Sequence, residues 1–191
     1  MKISILPKRY IDSPSGRFVV FLTGRLLSFT PSENNPVLYT EIEHILNPYL
    51  PVQIEKEPHL DTLIIPKGVK SLPAEFMRGY HIDSKIVFPV TLESIGDIKW
   101  DDMACEDHCV LANTHLPEVI IPKSVKMIGT YAFGGSHIKK LVFENTIICE
   151  YARQFKDSRI DELVIPKVMW ESDGIARNFK IHCSIGSLIL T

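Results

Sequence analysis

With 191 residues and a formal net charge of −2, the chain suits one domain and lacks the basic footprint of a nucleic-acid binder. Hydrophobic residues make up 45%, enough for a continuous core, yet no window approaches the roughly 18 consecutive apolar residues needed to cross a bilayer. Cys105, Cys109, Cys149 and Cys183, without a secretory leader, are expected to be reduced thiols in a cytoplasmic protein.

Residues 1–59 show no repeat and are expected to form a small α+β capping region. Ile3 to Leu6 and Phe18 to Leu22 read as strands, with turn chemistry at Pro14-Ser15-Gly16. Thr30 to Pro36 reads as a loop. Asn35 and Pro36 then open a helix as N-cap and first helical residue, carrying Val37, Ile42, Ile45 and Leu46 on one side and stopping at Asn47-Pro48.

From Leu60 a short β-type run recurs: Thr62–Pro66, Lys85–Pro89, Glu118–Pro122, Lys140–Glu144, Glu162–Pro166 and Ser187–Thr191. Successive runs are offset by 23, 33, 22, 22 and 25 residues. A period in the twenties predicts a solenoid over residues 60–191, in which each unit buries its apolar side against its neighbours. The proline lacks the N–H that would continue a ladder and so ends each strand. Apolar pairs follow (Val69/Leu72, Leu92/Ile95, Val125/Ile128), and then Phe76, Phe133, Phe155 and Phe179; all are expected inside the coil. Gly96 and Gly129 suit turns with positive φ.

The pattern L-x-x-[VIL]-x-[IF]-P-x-x-[VL]-x-x-I-G-x-x-A-F resembles the BspA-type leucine-rich repeat. Leu116 to Phe133 matches it best, and Leu60 to Phe76 and Ile82 to Gly96 match in part. The resemblance covers about residues 60–191 and implies a β-rich, right-handed leucine-rich-repeat solenoid used for adhesion, recognition or scaffolding. The chain departs from the pattern at Glu144, which stands in the proline position, and in its degenerate fifth and sixth repeats.

Alternation along each strand points Leu63/Ile65, Ile86/Phe88, Val119/Ile121, Leu141/Phe143, Leu163/Ile165 and Leu188/Leu190 inward. Two columns then face outward. Thr62, Lys85, Glu118, Lys140, Glu162 and Ser187 form the first, whose alternating charges either support register or serve as a recognition stripe. Ile64, Val87, Ile120, Val142, Val164 and Ile189 form the second, all apolar and β-branched. That composition reflects either β-propensity at half-exposed positions or a cover supplied by the head, a second copy of the chain, or another protein. Leu188, Ile189 and Leu190 lie on a terminal strand whose open edge suits pairing into a homodimer.

The 33-residue spacing places an insertion at about 97–115, with Trp100, Asp101 and Asp102 beside Cys105, His108, Cys109 and His115. Trp100 reads as an interface anchor or as core. Cys-x3-Cys lacks the second pair of a zinc site, so no metal is expected. His81 beside Asp83, and His108 among acids, are acid–base pairs by spacing alone; the other histidines look scattered. With no nucleophile elbow, phosphate loop or cofactor motif, the expected function is non-enzymatic. The expected partner is another protein, with no nucleic acid, membrane or cofactor. The chain would act as a small inhibitor or adaptor through the outward columns and the insertion; the alternative is a self-associating structural protein.

Overall fold

A computed structural model describes residues 8–13, 16–21, 26–31, 59–73, 76–77, 80–96, 110–147, 153–172 and 175–191. In chain order the strands are β1 (Lys8–Ser13), β2 (Gly16–Phe21), β3 (Leu26–Pro31), β4 (His59–Ile64), β5 (Ser71–Leu72), β6 (His81–Val87) and β7 (Ser94–Ile95). They continue with β8 (His115–Ile121), β9 (Met127–Ile128), β10 (His137–Phe143) and β11 (Ser158–Ile165). Two helices, α1 (Lys167–Glu171) and α2 (Ile175–His182), precede β12 (Cys183–Leu190).

The chain is a parallel-strand β-solenoid. One parallel sheet has the order β12-β11-β10-β8-β6-β4, and a second, of two-residue strands, has the order β5-β7-β9. The repeat motif explains how the chain passes from one to the other. Each proline carbonyl accepts a hydrogen bond from the apolar residue three positions on: Val69 N to Pro66 O at 3.3 Å, Leu92 N to Pro89 O at 2.9 Å, and Val125 N to Pro122 O at 3.0 Å. Proline thus ends the long strand and starts the turn that carries the next apolar residue inward. Glu144 does without the ring. Its N–H donates to Ile121 O at 3.1 Å, and its carboxylate accepts the Lys123 N–H at 3.3 Å.

The aligned registers follow the repeat alignment, including Lys140↔Glu118, Lys140↔Glu162, Glu162↔Ser187 and Thr62↔Lys85. The strands start earlier than the short runs suggest, because Leu60, Ile82, Leu116, Ile138 and Ile160 also face the core and are buried. β6 carries one extra residue: Leu60 pairs with Ile82, but Thr62 pairs with Lys85. Such a bulge bends the strand locally.

Inside the coil, Val69, Leu72, Leu92, Ile95, Val125 and Ile128 are buried as expected, and so are Phe76, Phe133, Phe155 and Phe179. The rings of Phe133 and Phe155 stack with centroids 4.9 Å apart, and Phe179 continues the pile 4.8 Å beyond Phe155. A second internal column consists of small donors just before each strand. Ser136 donates to Leu111 O at 2.6 Å, Ser158 to Phe133 O at 2.6 Å, and the Cys183 thiol to Phe155 O at 3.0 Å. Left-handed corners at Asn113, Gly135 and Asp157, with φ of 53°, 67° and 60°, set up these positions. Asn and Asp tolerate that region best among residues with side chains. At Gly135, with φ of +67°, an added Cβ would lie 2.3 Å from Asn113 Oδ1, so a side chain there would displace that amide and strain the corner.

Four expectations need correction. Gly96 has a φ of +81°, but Gly129 is not among the positive-φ glycines; one coil on, the left-handed corner falls at Tyr131 instead. Thr30 and Pro31 belong to β3 rather than to a loop, which proline allows because, among the described residues, β3 is an edge strand paired with β2. Phe88, expected inward, is only partly buried against the core, since the strand has ended at Val87. Leu188 and Leu190, also expected inward, are 38% and 43% exposed, because β12 pairs only with β11. In the head, β1, β2 and β3 form an antiparallel sheet, in which Ser13 pairs with Gly16. The strand expected at 3–6 and the helix expected at 36–47 lie outside the described residues.

Candidate functional site

Parallel strands in matched register turn a repeat into columns, so the outer face of the long sheet shows the same strand position six times. Its apolar column is graded. Ile64, Val87, Val142 and Val164 are half-buried, while Ile120 and Ile189 are 42% and 45% exposed. Beside it runs the charged column. Lys140 Nζ lies 3.2 Å from Glu162 Oε1 and 3.6 Å from Glu118 Oε1, and the hydrogen bond to Glu162 holds its amine above the usual lysine range. Lys85 and Glu118 are exposed. Exposed pairs of this kind are screened by solvent and suit register more than stability.

The short sheet carries the opposite arrangement. Glu93, on the turn before β7, lies 3.2 Å from Lys70 and 3.8 Å from Lys126, and its carboxyl is held below the usual range chiefly by Lys70. An anion between two cations on one sheet thus mirrors a cation between two anions on the other.

A third outward column comes from the first residues of β6, β8 and β10. The register links His59↔His81, His81↔His115, His115↔His137 and His137↔Arg159. His81 and His115 bring their Nδ1 atoms to 3.1 Å, and their rings meet edge-on with centroids 4.7 Å apart. His137 lies edge-on to His115 at 5.8 Å. Carboxylates flank the column. Asp83 Oδ1 is 3.3 Å from His81 Nε2, and Asp161 Oδ2 is 2.9 Å from His137 Nε2. Asp161 also accepts from Arg159 Nε at 3.0 Å. The His137 hydrogen bond is the main reason its carboxyl sits below the ordinary aspartate range. Asp61, likewise lowered, accepts from Ser84 at 2.5 Å and from Thr62 at 2.9 Å.

The histidines look scattered in the sequence because the strand alignment starts three residues too late to include them. His59, His115 and His137 each precede the first outward residue of the run, Thr62, Glu118 or Lys140, by three; the bulge makes the spacing four from His81 to Lys85. Extending each run toward its N-terminus would have exposed the column.

Residues 106–173 match the family model described as the BspA type leucine rich repeat region (6 copies). Over those residues the chain is similar to that repeat family. No curated protein and no solved structure matches the chain. Leucine-rich repeats generally mediate contacts between proteins. In the repeat pattern of this chain, the specified positions close the turn after the strand and fill the coil, while the charged and apolar columns lie at its unspecified positions and the histidines precede it.

Trp100, Asp101, Asp102, Cys105, His108 and Cys109 lie outside the described residues. Trp170, the other tryptophan, packs partly against the core, with Lys180 Nζ 4.8 Å from its ring centre. Among the described residues no three His, Cys, Asp or Glu side chains converge to hold a metal ion, and no helix is long and apolar enough to cross a membrane.

Proposed function

We propose that the chain is a non-enzymatic, cytoplasmic protein–protein interaction module, a small inhibitor or adaptor that holds a larger protein against the outer face of the long sheet. The observation that carries this reading is Ile120, exposed in mid-sheet beside the half-buried Val142, with the Glu118–Lys140–Glu162 charges one outward position earlier along the strands. An apolar strip bordered by charges has the anatomy of a recognition surface: apolar contact supplies affinity and the charged rim sets orientation. The insertion at 97–115 is assigned to the same contact.

Affinity capture with mass measurement of the complex tests the reading. Wild-type chain should retain one protein of defined mass, and Ile120→Asp and Val142→Asp should each lose it while keeping the wild-type mass and circular dichroism. Retention of the same partner by both folded variants would refute the assignment of this face.

A second reading rests on β12, where Leu188, Ile189 and Leu190 are all substantially exposed on a strand paired along one side. Under it, two chains pair through these strands, and the mass in solution is twice 21.7 kDa. Light scattering on wild type and Leu190→Lys separates the two: a monomer at high concentration excludes self-association by this route.

A further inference from the structure

We propose that His81 and His115 form a two-point chelating site for a divalent transition-metal ion, a borderline cation such as Zn²⁺ or Ni²⁺, on the outer face of the solenoid. The site begins in the backbone. His81 and His115 are register partners on adjacent parallel strands, and His115 N donates to Tyr80 O at 3.1 Å, so the two Cα positions are fixed side by side. The two Nδ1 atoms converge to 3.1 Å. Imidazole nitrogens lie about 2.0–2.1 Å from zinc, and a tetrahedral angle then separates two of them by roughly 3.4 Å. A small rotation of two solvent-facing rings covers the difference.

The protons favour the same arrangement. A carboxylate oxygen of Asp83 stands 3.3 Å from His81 Nε2, which places the proton of the neutral ring on Nε2 and leaves its Nδ1 lone pair directed at His115. Without metal, the His115 Nδ1–H donates into that lone pair. With metal, His115 moves its proton from Nδ1 to Nε2 through solvent, both lone pairs bind the ion, and no net proton is released. Asp83 then becomes the outer carboxylate of a carboxylate–histidine–metal arrangement, the usual means of orienting a ligating imidazole. No third donor converges among the described residues.

The test is isothermal titration of untagged, full-length protein with Ni²⁺ and with Zn²⁺ in a non-chelating buffer near pH 7.5. One saturable equivalent should be lost in His81→Gln and in His115→Gln, weakened about tenfold or more in Asp83→Asn, and unchanged in His182→Gln. Both substituted histidines face solvent, and circular dichroism checks the fold of each variant. A second measurement uses wild type alone: diethylpyrocarbonate labelling read by mass spectrometry should show His81 and His115 protected by Ni²⁺ and His182 not. Binding that survives both histidine substitutions, equal labelling with and without metal, or no saturable binding would overturn the proposal.

Discussion

The Ser158 hydroxyl donates to the carbonyl of Phe133, one coil earlier, at 2.6 Å inside the solenoid. Ser136 makes the matching bond to Leu111, and the Cys183 thiol makes it to Phe155. Each coil is therefore tied to the previous one by a polar contact within an apolar core. Ser158→Ala should lower stability by about 1 kcal/mol, the ordinary net value of such a bond. The loss stays modest because Phe133 O keeps a second donor, the Ser136 N–H at 3.2 Å. Urea unfolding should show a lower midpoint with an unchanged slope.

Phe155 lies between Phe133 and Phe179, with no exposed surface. Phe155→Ala should cost about 3–5 kcal/mol, because removing the middle ring leaves a cavity bounded by two others. Phe155→Leu, which keeps most of the volume, should cost much less. Thermal unfolding of the pair checks the order.

The Cys183 thiol is pushed up to about 12 from 9.0, mainly by burial and secondarily by Asp157. The folded state therefore prefers the protonated thiol more than the unfolded state does. The contribution is fully present below pH 9 and is lost as pH rises from 9 toward 12. At pH 8 a disulfide reagent should label Cys183, followed by peptide mass spectrometry, slowly in native protein and quickly in denatured protein. Cys183→Ser should keep the inward donor already used at Ser136 and Ser158 and flatten the alkaline fall in stability.

At Asp161 the sign reverses. Its carboxyl is lowered from 3.8, first by the hydrogen bond from His137 and then by the one from Arg159. A depressed carboxyl stabilises the fold above its unfolded value and loses that contribution as pH falls through the folded one. Asp161→Asn should therefore lower stability at neutral pH and flatten the dependence below pH 4. Because the group is solvent-exposed, screening keeps the change small and raised salt should shrink it further. Denaturation midpoints measured at several pH values and two salt concentrations test this.

Much of the solenoid is legible in the chain itself. Proline ends a strand through its missing N–H, β-branched residues favour the strand, and a residue pointing inward in one repeat points inward in the next. Leu63, Val119, Leu141 and Leu163 all lie in the core for that reason. The same local chemistry places Phe133, Phe155 and Phe179 along one line before any coordinate is seen.

What sequence reasoning missed depends on neighbours distant along the chain. β1 and β3 were missed because Lys8–Ser13 and Leu26–Pro31 carry no long apolar run, and they are held as strands by pairing with β2. Leu188 and Leu190 have the same residue type as their buried counterparts and are nevertheless exposed, because burial requires a neighbour on the far side and β12 pairs only with β11.

The sequence by itself determined the repeat, most of its inward residues and its outward charged and apolar columns, because these follow from strand periodicity. Only the tertiary structure decided that His81 and His115, 34 residues apart, face each other at 3.1 Å. That contact depends on the register of β6 against β8, set by the packing of whole coils rather than by any local run of residues.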